Sequence, residues 1–288
     1  MKHSVKITLF LLLLFLTAQY VGLGIVEQYV DVERSAETGI TEFKDLPIGE
    51  RPPIQERTSF LPIILVILGG TVIMLLLVKH KLTIIWKGWF LMAVFIALTI
   101  AWDPFMPTVV AFILAAFFAA WKLWKPNIFV HNFTELFIYG GLAAIFVSWF
   151  DILSISILLV LIAVYDAYAV WKSKHMITLA KSQTKEGIFA GLLIPYKLPS
   201  KRKKGVKTKK VRTALLGGGD IGFPLIFAGV VFKELGLWQA MIIPIFAMLG
   251  LALLLFFSKD KKFYPAMPFI GAGCFVGLGI VYLLMFLI

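Results

Sequence analysis

The chain has 288 residues, 60% of them hydrophobic and 15% charged, with a mean hydropathy of +0.92. No soluble domain hides that much apolar surface, so the composition excludes one and reads as an all-α, polytopic membrane protein embedded in a lipid bilayer. The net charge of +12 does not imply nucleic acid, because 13 of the 28 Lys/Arg fall in one connection, from Lys172 to Arg212, and basic residues beside membrane spans encode topology.

Nine apolar stretches are predicted to cross, at 5–26, 59–79, 83–102, 105–124, 128–149, 152–172, 213–233, 237–257 and 264–287. A span needs about 20 apolar residues to cover roughly 30 Å of hydrocarbon. The first, MKHSVKITLFLLLLFLTAQYVG, has the basic start and apolar middle of a secretory signal. Its apolar run continues to Val26, and Gln19 and Tyr20 make a poor cleavage site, so it is read as a retained span.

Charges in the connections then alternate. Lys2 and Lys6 precede span one, and the connection from Glu27 to Arg57 holds eight acids and four bases. Lys79 and Lys81 follow span two, Lys122 and Lys125 follow span four, and the long basic connection follows span six. Asp103 and Asp151 follow the spans between. By the positive-inside rule the amino end is cytoplasmic and the carboxyl end external. The expected location is the cell membrane. The chain divides into a six-span part (1–172), a basic cytoplasmic connection (173–212) and a three-span part (213–288). The first half of that connection, HMITLAKSQTKEGIFAGLLIPYKLP, is amphipathic and expected on the membrane surface. Its second half, SKRKKGVKTKK, reads as an inside signal attracted to anionic lipid.

Of the 16 acids, three lie at membrane depth: Glu135, Asp166 and Asp220. An ionised carboxylate at mid-bilayer costs about 2.5–3.5 kcal/mol, so each is a functional candidate. Glu135, with His131 one turn earlier, is read as a hydrogen-bonded polar group facing the bundle. Asp166 lies six residues before Lys172, and Asp220 eight residues after Arg212. At 1.5 Å per residue these offsets are about 9 and 12 Å from the same side. Two carboxyl groups that meet there share a proton, one fit to take a proton from water and the other to give one to a carbonyl oxygen.

Gly217, Gly218 and Gly219 precede Asp220 and leave room for another backbone to approach. Gly222 and Pro224 weaken the helix beyond it. Gly273 and Gly277 read as close helix packing. No histidine cluster has metal-ligand spacing, and no Ser/His/Asp set, GxSG or HExxH occurs. No metal or cofactor is expected.

Tyr165-Asp166, Gly217-Gly218-Gly219-Asp220 and Pro265-Ala266-Met267 resemble the YD, GxGD and PAL motifs of the presenilin and signal peptide peptidase family. The nine-span count and the long connection between the aspartates match as well. The size is most similar to the archaeal presenilin-type members. The resemblance implies an intramembrane aspartyl protease with Asp166 and Asp220 as its dyad. It implies Tyr165, Gly217, Gly218, Gly219, Pro265, Ala266 and Met267 around the substrate. It also implies a substrate helix that unwinds and pairs as a strand with the segment around Val206 to Thr213. Met267 stands where the family has leucine, which puts preference in doubt more than activity. The cytoplasmic side of the 173–212 connection is the presenilin-like direction, so single-span substrates with an external amino end are expected.

A proton- or cation-coupled transporter is the alternative, since such proteins also use intramembrane acids and broken helices. It lacks the expected inverted repeat, and the glycines cluster at one acid only. A non-catalytic scaffold leaves the buried acids without a use.

Overall fold

The structure, a computed structural model, describes residues 4–51, 56–173, 176, 179, 183, 187–196, 213–258 and 263–287. In hydrocarbon a backbone must bond to itself, so helices dominate. They are α1 (Val5–Gln28), α2 (Val32–Thr38), α3 (Phe60–Lys79), α4 (Thr83–Trp102), α5 (Thr108–Trp124), α6 (Ile128–Phe146), α7 (Ile152–Trp171), α8 (Gly218–Leu235), α9 (Leu237–Phe257) and α10 (Met267–Leu287). Each predicted apolar stretch carries one long helix. Among the described residues, seven helices (α1, α3, α4, α6, α7, α9 and α10) are long and apolar enough to cross a membrane. The α5 helix has 17 residues. The α8 helix has 18 and carries Asp220, Lys233 and Glu234.

Two expectations need correction. The stretch 213–233 is not one helix. Its first five residues form strand β4 (Thr213–Gly217), antiparallel to β3 (Gly191–Pro195), with Leu192 opposite Leu216 and Ile194 opposite Ala214. Alternation decides this: Ala214 and Leu216 are buried while Leu215 between them is 39% exposed, the two-residue period of a strand. The helix begins only after Gly217, whose extended backbone caps α8. The second correction concerns IFAGLLIP, assigned to an amphipathic surface segment. Ile188, Leu192 and Ile194 are buried, and the segment joins the core as β3. The tract SKRKKGVKTKK and most of the proposed pairing segment, Val206 to Arg212, lie outside the described residues.

The α1 helix sits at the centre, against α6, α8 and α9. Phe15, Ala18 and Val26 are wholly buried, and Gln19 Nε2 donates to the Ile221 carbonyl at 2.8 Å. One core joins α1, α6, α7, α8, α9, α10 and the hairpin, and a second joins α4, α5 and α6 with the end of α1. The α3 helix stands apart, with only Met74 buried, and leans on α7 and α4. Gly250 and Gly273 let α9 and α10 meet at backbone distance, since a Cβ on either would come within 2.2 Å of a carbonyl oxygen on the other helix.

Polar contacts tie the end opposite the hairpin. A short sheet pairs β1 (Val30–Asp31) with β2 (Glu42–Phe43). Arg51 donates to the Ala144 carbonyl at 2.6 Å and to Ser148 Oγ at 3.2 Å, covering the last turn of α6. Burial lowers the pKa of its guanidinium, and Tyr29 and Asp45 work against that shift. Asp151 and Ser154 form a capping box at the start of α7. Burial pushes the Asp151 carboxyl up, but its bonds from Ser154 prevail and hold it below the usual range.

The hairpin depends on Gly191. Its φ is +143°, and a Cβ there would lie 2.1 Å from the Leu216 carbonyl oxygen. Gly191→Ala is expected to lower thermal stability in detergent by about 1–3 kcal/mol, the usual cost of such strain. Gly24→Ala, where a Cβ meets nothing within 4 Å, serves as the control. Equal midpoints for the two variants would contradict the assignment.

Candidate active site

The two aspartates are brought to one level by the far ends of their helices. The α7 and α8 helices pack together, and the Ile152 N–H at the start of α7 donates to Glu234 Oε1, at the end of α8, at 2.8 Å. Asp166 lies fourteen residues after Ile152 and Asp220 fourteen before Glu234. Both are therefore about 21 Å of helix from that pin.

Each carboxyl group has its own backbone surroundings. Asp166 is 7% exposed. Its Oδ2 accepts from the Met267 N–H at 3.1 Å. Asp166 thus caps the start of α10, where the helix dipole favours negative charge. Asp220 is partly exposed. It is the third residue of α8, with its carboxyl beside Gly217, where an added Cβ would lie 3.2 Å from Asp220 Oδ2. Pro224, one turn on, has no N–H for the Asp220 carbonyl, which loosens the first turn.

Pro265, Ala266 and Met267 are buried at the start of α10, beside Asp166. The link from Met267 runs through its main chain, which leucine would supply equally. The departure from the family's leucine therefore leaves this bond untouched. The hydroxyl of Tyr165 donates to Thr71 Oγ1 on α3 at 3.2 Å, tying α7 to that loosely packed helix. The three glycines differ. A Cβ on Gly218 would come within 2.9 Å of the Tyr139 hydroxyl, so its need is internal: it seats Tyr139. Gly219 is exposed and a Cβ there would meet only Phe223, at 3.4 Å. That leaves Gly219 as the open approach.

Glu135 is buried at 1% exposure. Its carboxylate accepts from Lys122 Nζ and the Tyr139 hydroxyl, and from the Gly191 N–H at 3.0 Å. Lys122 also reaches Thr134 Oγ1 at 3.0 Å. His131 Nε2 lies 2.7 Å from the Gly191 carbonyl oxygen. Lys122, expected as an inside-surface charge after span four, is instead 3% exposed. Its pairing with Glu135 is what allows that burial. Among the described residues, no group of three or more His, Cys, Asp or Glu could hold a metal ion.

The hairpin next to Asp220 has two different edges. Gly218 N–H donates to the Ala190 carbonyl at 3.1 Å. By the alternation of an antiparallel ladder, residues 192 and 194 then bond to 216 and 214, and residues 191, 193, 213 and 215 point their backbone groups outward. Sequence reasoning did not find Tyr139, Gln19, Thr71, Asn132 or Gly191, and no motif marks them.

The chain matches the model of the family described as signal-peptide peptidase, presenilin aspartyl protease over residues 39–287. No curated protein matches it. Two solved structures of a presenilin family intramembrane aspartate protease share its fold. The first, in space group C222, has a TM-score of 0.65 at 21% identity, covering 96% of this chain and 99% of that one. The second, in space group P2, has a TM-score of 0.64 at 21% identity, covering 95% and 96%. With nearly its whole length matched, this multi-pass membrane protein belongs to the signal-peptide peptidase and presenilin aspartyl protease family, the aspartic endopeptidases that cleave within membranes.

Proposed function

We propose that the chain hydrolyses peptide bonds in unwound transmembrane helices with Asp166, Asp220 and a water molecule. The observation that carries this is the common level of the two carboxyl groups, each about 21 Å of helix from the Ile152–Glu234 pin. In the reaction, the ionised carboxyl takes a proton from water and the hydroxyl oxygen bonds to the scissile carbonyl carbon. The protonated carboxyl gives its proton to the carbonyl oxygen. Collapse of the resulting gem-diol breaks the C–N bond as a proton passes to the leaving nitrogen. Neither metal nor covalent intermediate is needed. Like charges at short range keep one of the two protonated.

The substrate strand adds to the outer edge of β4 at Thr213 and Leu215, a few residues later than the Val206–Thr213 segment expected from the motif. Such pairing satisfies backbone groups that unwinding exposes inside the membrane. Gly219 and the Pro265–Met267 turn flank the scissile bond, and Tyr165 holds α7 toward α3 beside it. The chain crosses the cell membrane nine times, amino end cytoplasmic and carboxyl end external, in the manner of the archaeal presenilin-type members. Its dyad then lies near the cytoplasmic face, and its substrates are single-span proteins with external amino ends.

Purified in detergent with a helical single-span substrate, Asp166→Asn and Asp220→Asn should each lower the cleavage rate by about 100-fold or more, the contribution of a general acid or base. An ion carrier would instead show no cleavage by the wild type and an altered flux in liposomes. For orientation, paired reporters carrying one cleavable helix in the two opposite directions should be cut when the amino end is external. Equal or reversed cutting would overturn the assigned topology.

A further inference from the structure

Three side chains from about one turn of α6 occupy the outer edge of β3. His131 Nε2 faces the Gly191 carbonyl oxygen at 2.7 Å, and the Gly191 N–H donates to Glu135 at 3.0 Å. Asn132 makes a two-point contact with the next outward residue: its Nδ2 donates to the Leu193 carbonyl at 2.7 Å, and its Oδ1 accepts from the Leu193 N–H at 2.9 Å. An asparagine amide used this way mimics a paired strand, giving one donor and one acceptor to one residue. The outward groups of both Gly191 and Leu193 are therefore spoken for by side chains rather than by a further strand.

The geometry points to α6 as a surrogate strand: Asn132 and Glu135 are positioning residues that close one edge of the hairpin and fix the register of the other against Asp220. This rests on the protease reading above. Three links carry the constraint to the reacting end. Glu135 holds Tyr139, whose hydroxyl packs on Gly218. Gly218 donates to Ala190, closing the hairpin two residues before Asp220. Lys122, buried and bonded to Thr134, pairs with Glu135 and holds it in place. A peptide strand added to β3 would have to displace all of this, whereas Leu215 is exposed and its backbone groups point outward on the β4 side of the hairpin. Substrate is thus steered to β4, and the bond placed at the dyad is set by how firmly β3 is held.

The test uses Asn132→Ala in the full chain, because Asn132 is only half-buried and does not touch Asp166 or Asp220. Two readouts are taken in detergent: hydrogen exchange in peptides covering 187–196 and 213–217, and mass spectrometry of the products from a single-span substrate. Loss of the Leu193 pair should speed exchange in both strands about tenfold, the equivalent of one net hydrogen bond, and leave α7 and α10 unchanged. Cleavage should spread onto neighbouring bonds, with kcat lower by about 10- to 100-fold, as for a reacting group misplaced by about 1 Å. Wild-type exchange, or faster exchange with wild-type products and rate, would overturn the proposal. If the alanine variant does not purify as a monodisperse protein, Asn132→Asp is measured with the same two outcomes. It is isosteric and replaces the donor to Leu193 by a second carboxyl oxygen. If the wild type cuts no substrate, the protease reading fails and the exchange arm alone judges the clamp.

Discussion

Inside a membrane, a backbone N–H or C=O without a partner costs several kcal/mol. The site of this protein is arranged around that constraint. A helix hides its own peptide groups from water and from carboxylates alike, so hydrolysis demands that some helix be opened. Opening it exposes donors and acceptors that lipid cannot satisfy. In the proposed reaction, the two-stranded sheet that ends just before Asp220 offers what lipid cannot, a ladder edge to pair with. The same constraint applies to the sheet itself, and α6 meets it on one side with His131, Asn132 and Glu135.

The carboxyl groups face a second cost, that of charge in a poor solvent. The structure offsets it with backbone amides more than with opposite charge. Asp166 takes the Met267 amide at the start of α10, and Asp220 stands in the first turn of its own helix. Both positions are helix starts, where partial positive charge accumulates. Such partners stabilise an anion without neutralising it, as an arginine would, and leave its second oxygen for water. Glu135 is treated differently. It is paired with Lys122 and enclosed by hydroxyl and amide donors, so it is committed to structure and unavailable for proton transfer to a substrate.

Much of this was legible in the residues. Hydrophobic runs located the long helices of the described residues, because length and apolarity are local properties. The short motifs pointed to Asp166 and Asp220, and counting from the basic flanks placed them at one depth. The hairpin was not legible. Residues 213–217 read as the start of a span because Thr-Ala-Leu-Leu-Gly is as apolar as its neighbours, and only the distant partner at 191–195 makes it a strand. Lys122 read as a topology signal because nothing nearby in sequence reveals Glu135 as its partner across the α5–α6 turn. Asn132 sits among phenylalanines with no pattern to mark it. Gly191 has its role only through a positive φ and a carbonyl 25 residues away. Long-range polar pairing, unlike hydrophobic periodicity, leaves no trace in a single chain.

The central claim is spatial: the Asp166 and Asp220 side chains face one another across the α7–α8 interface. It is tested most directly by placing thiols at both positions, Asp166→Cys with Asp220→Cys in a Cys274→Ser background, and treating the folded protein with a short bifunctional thiol reagent. Joining of the 152–171 and 218–235 peptides after digestion is the predicted result, with no joining when Val164→Cys, on an exposed position of α7, replaces Asp166→Cys. Separate modification of the two thiols, with no bridged peptide, would contradict the account.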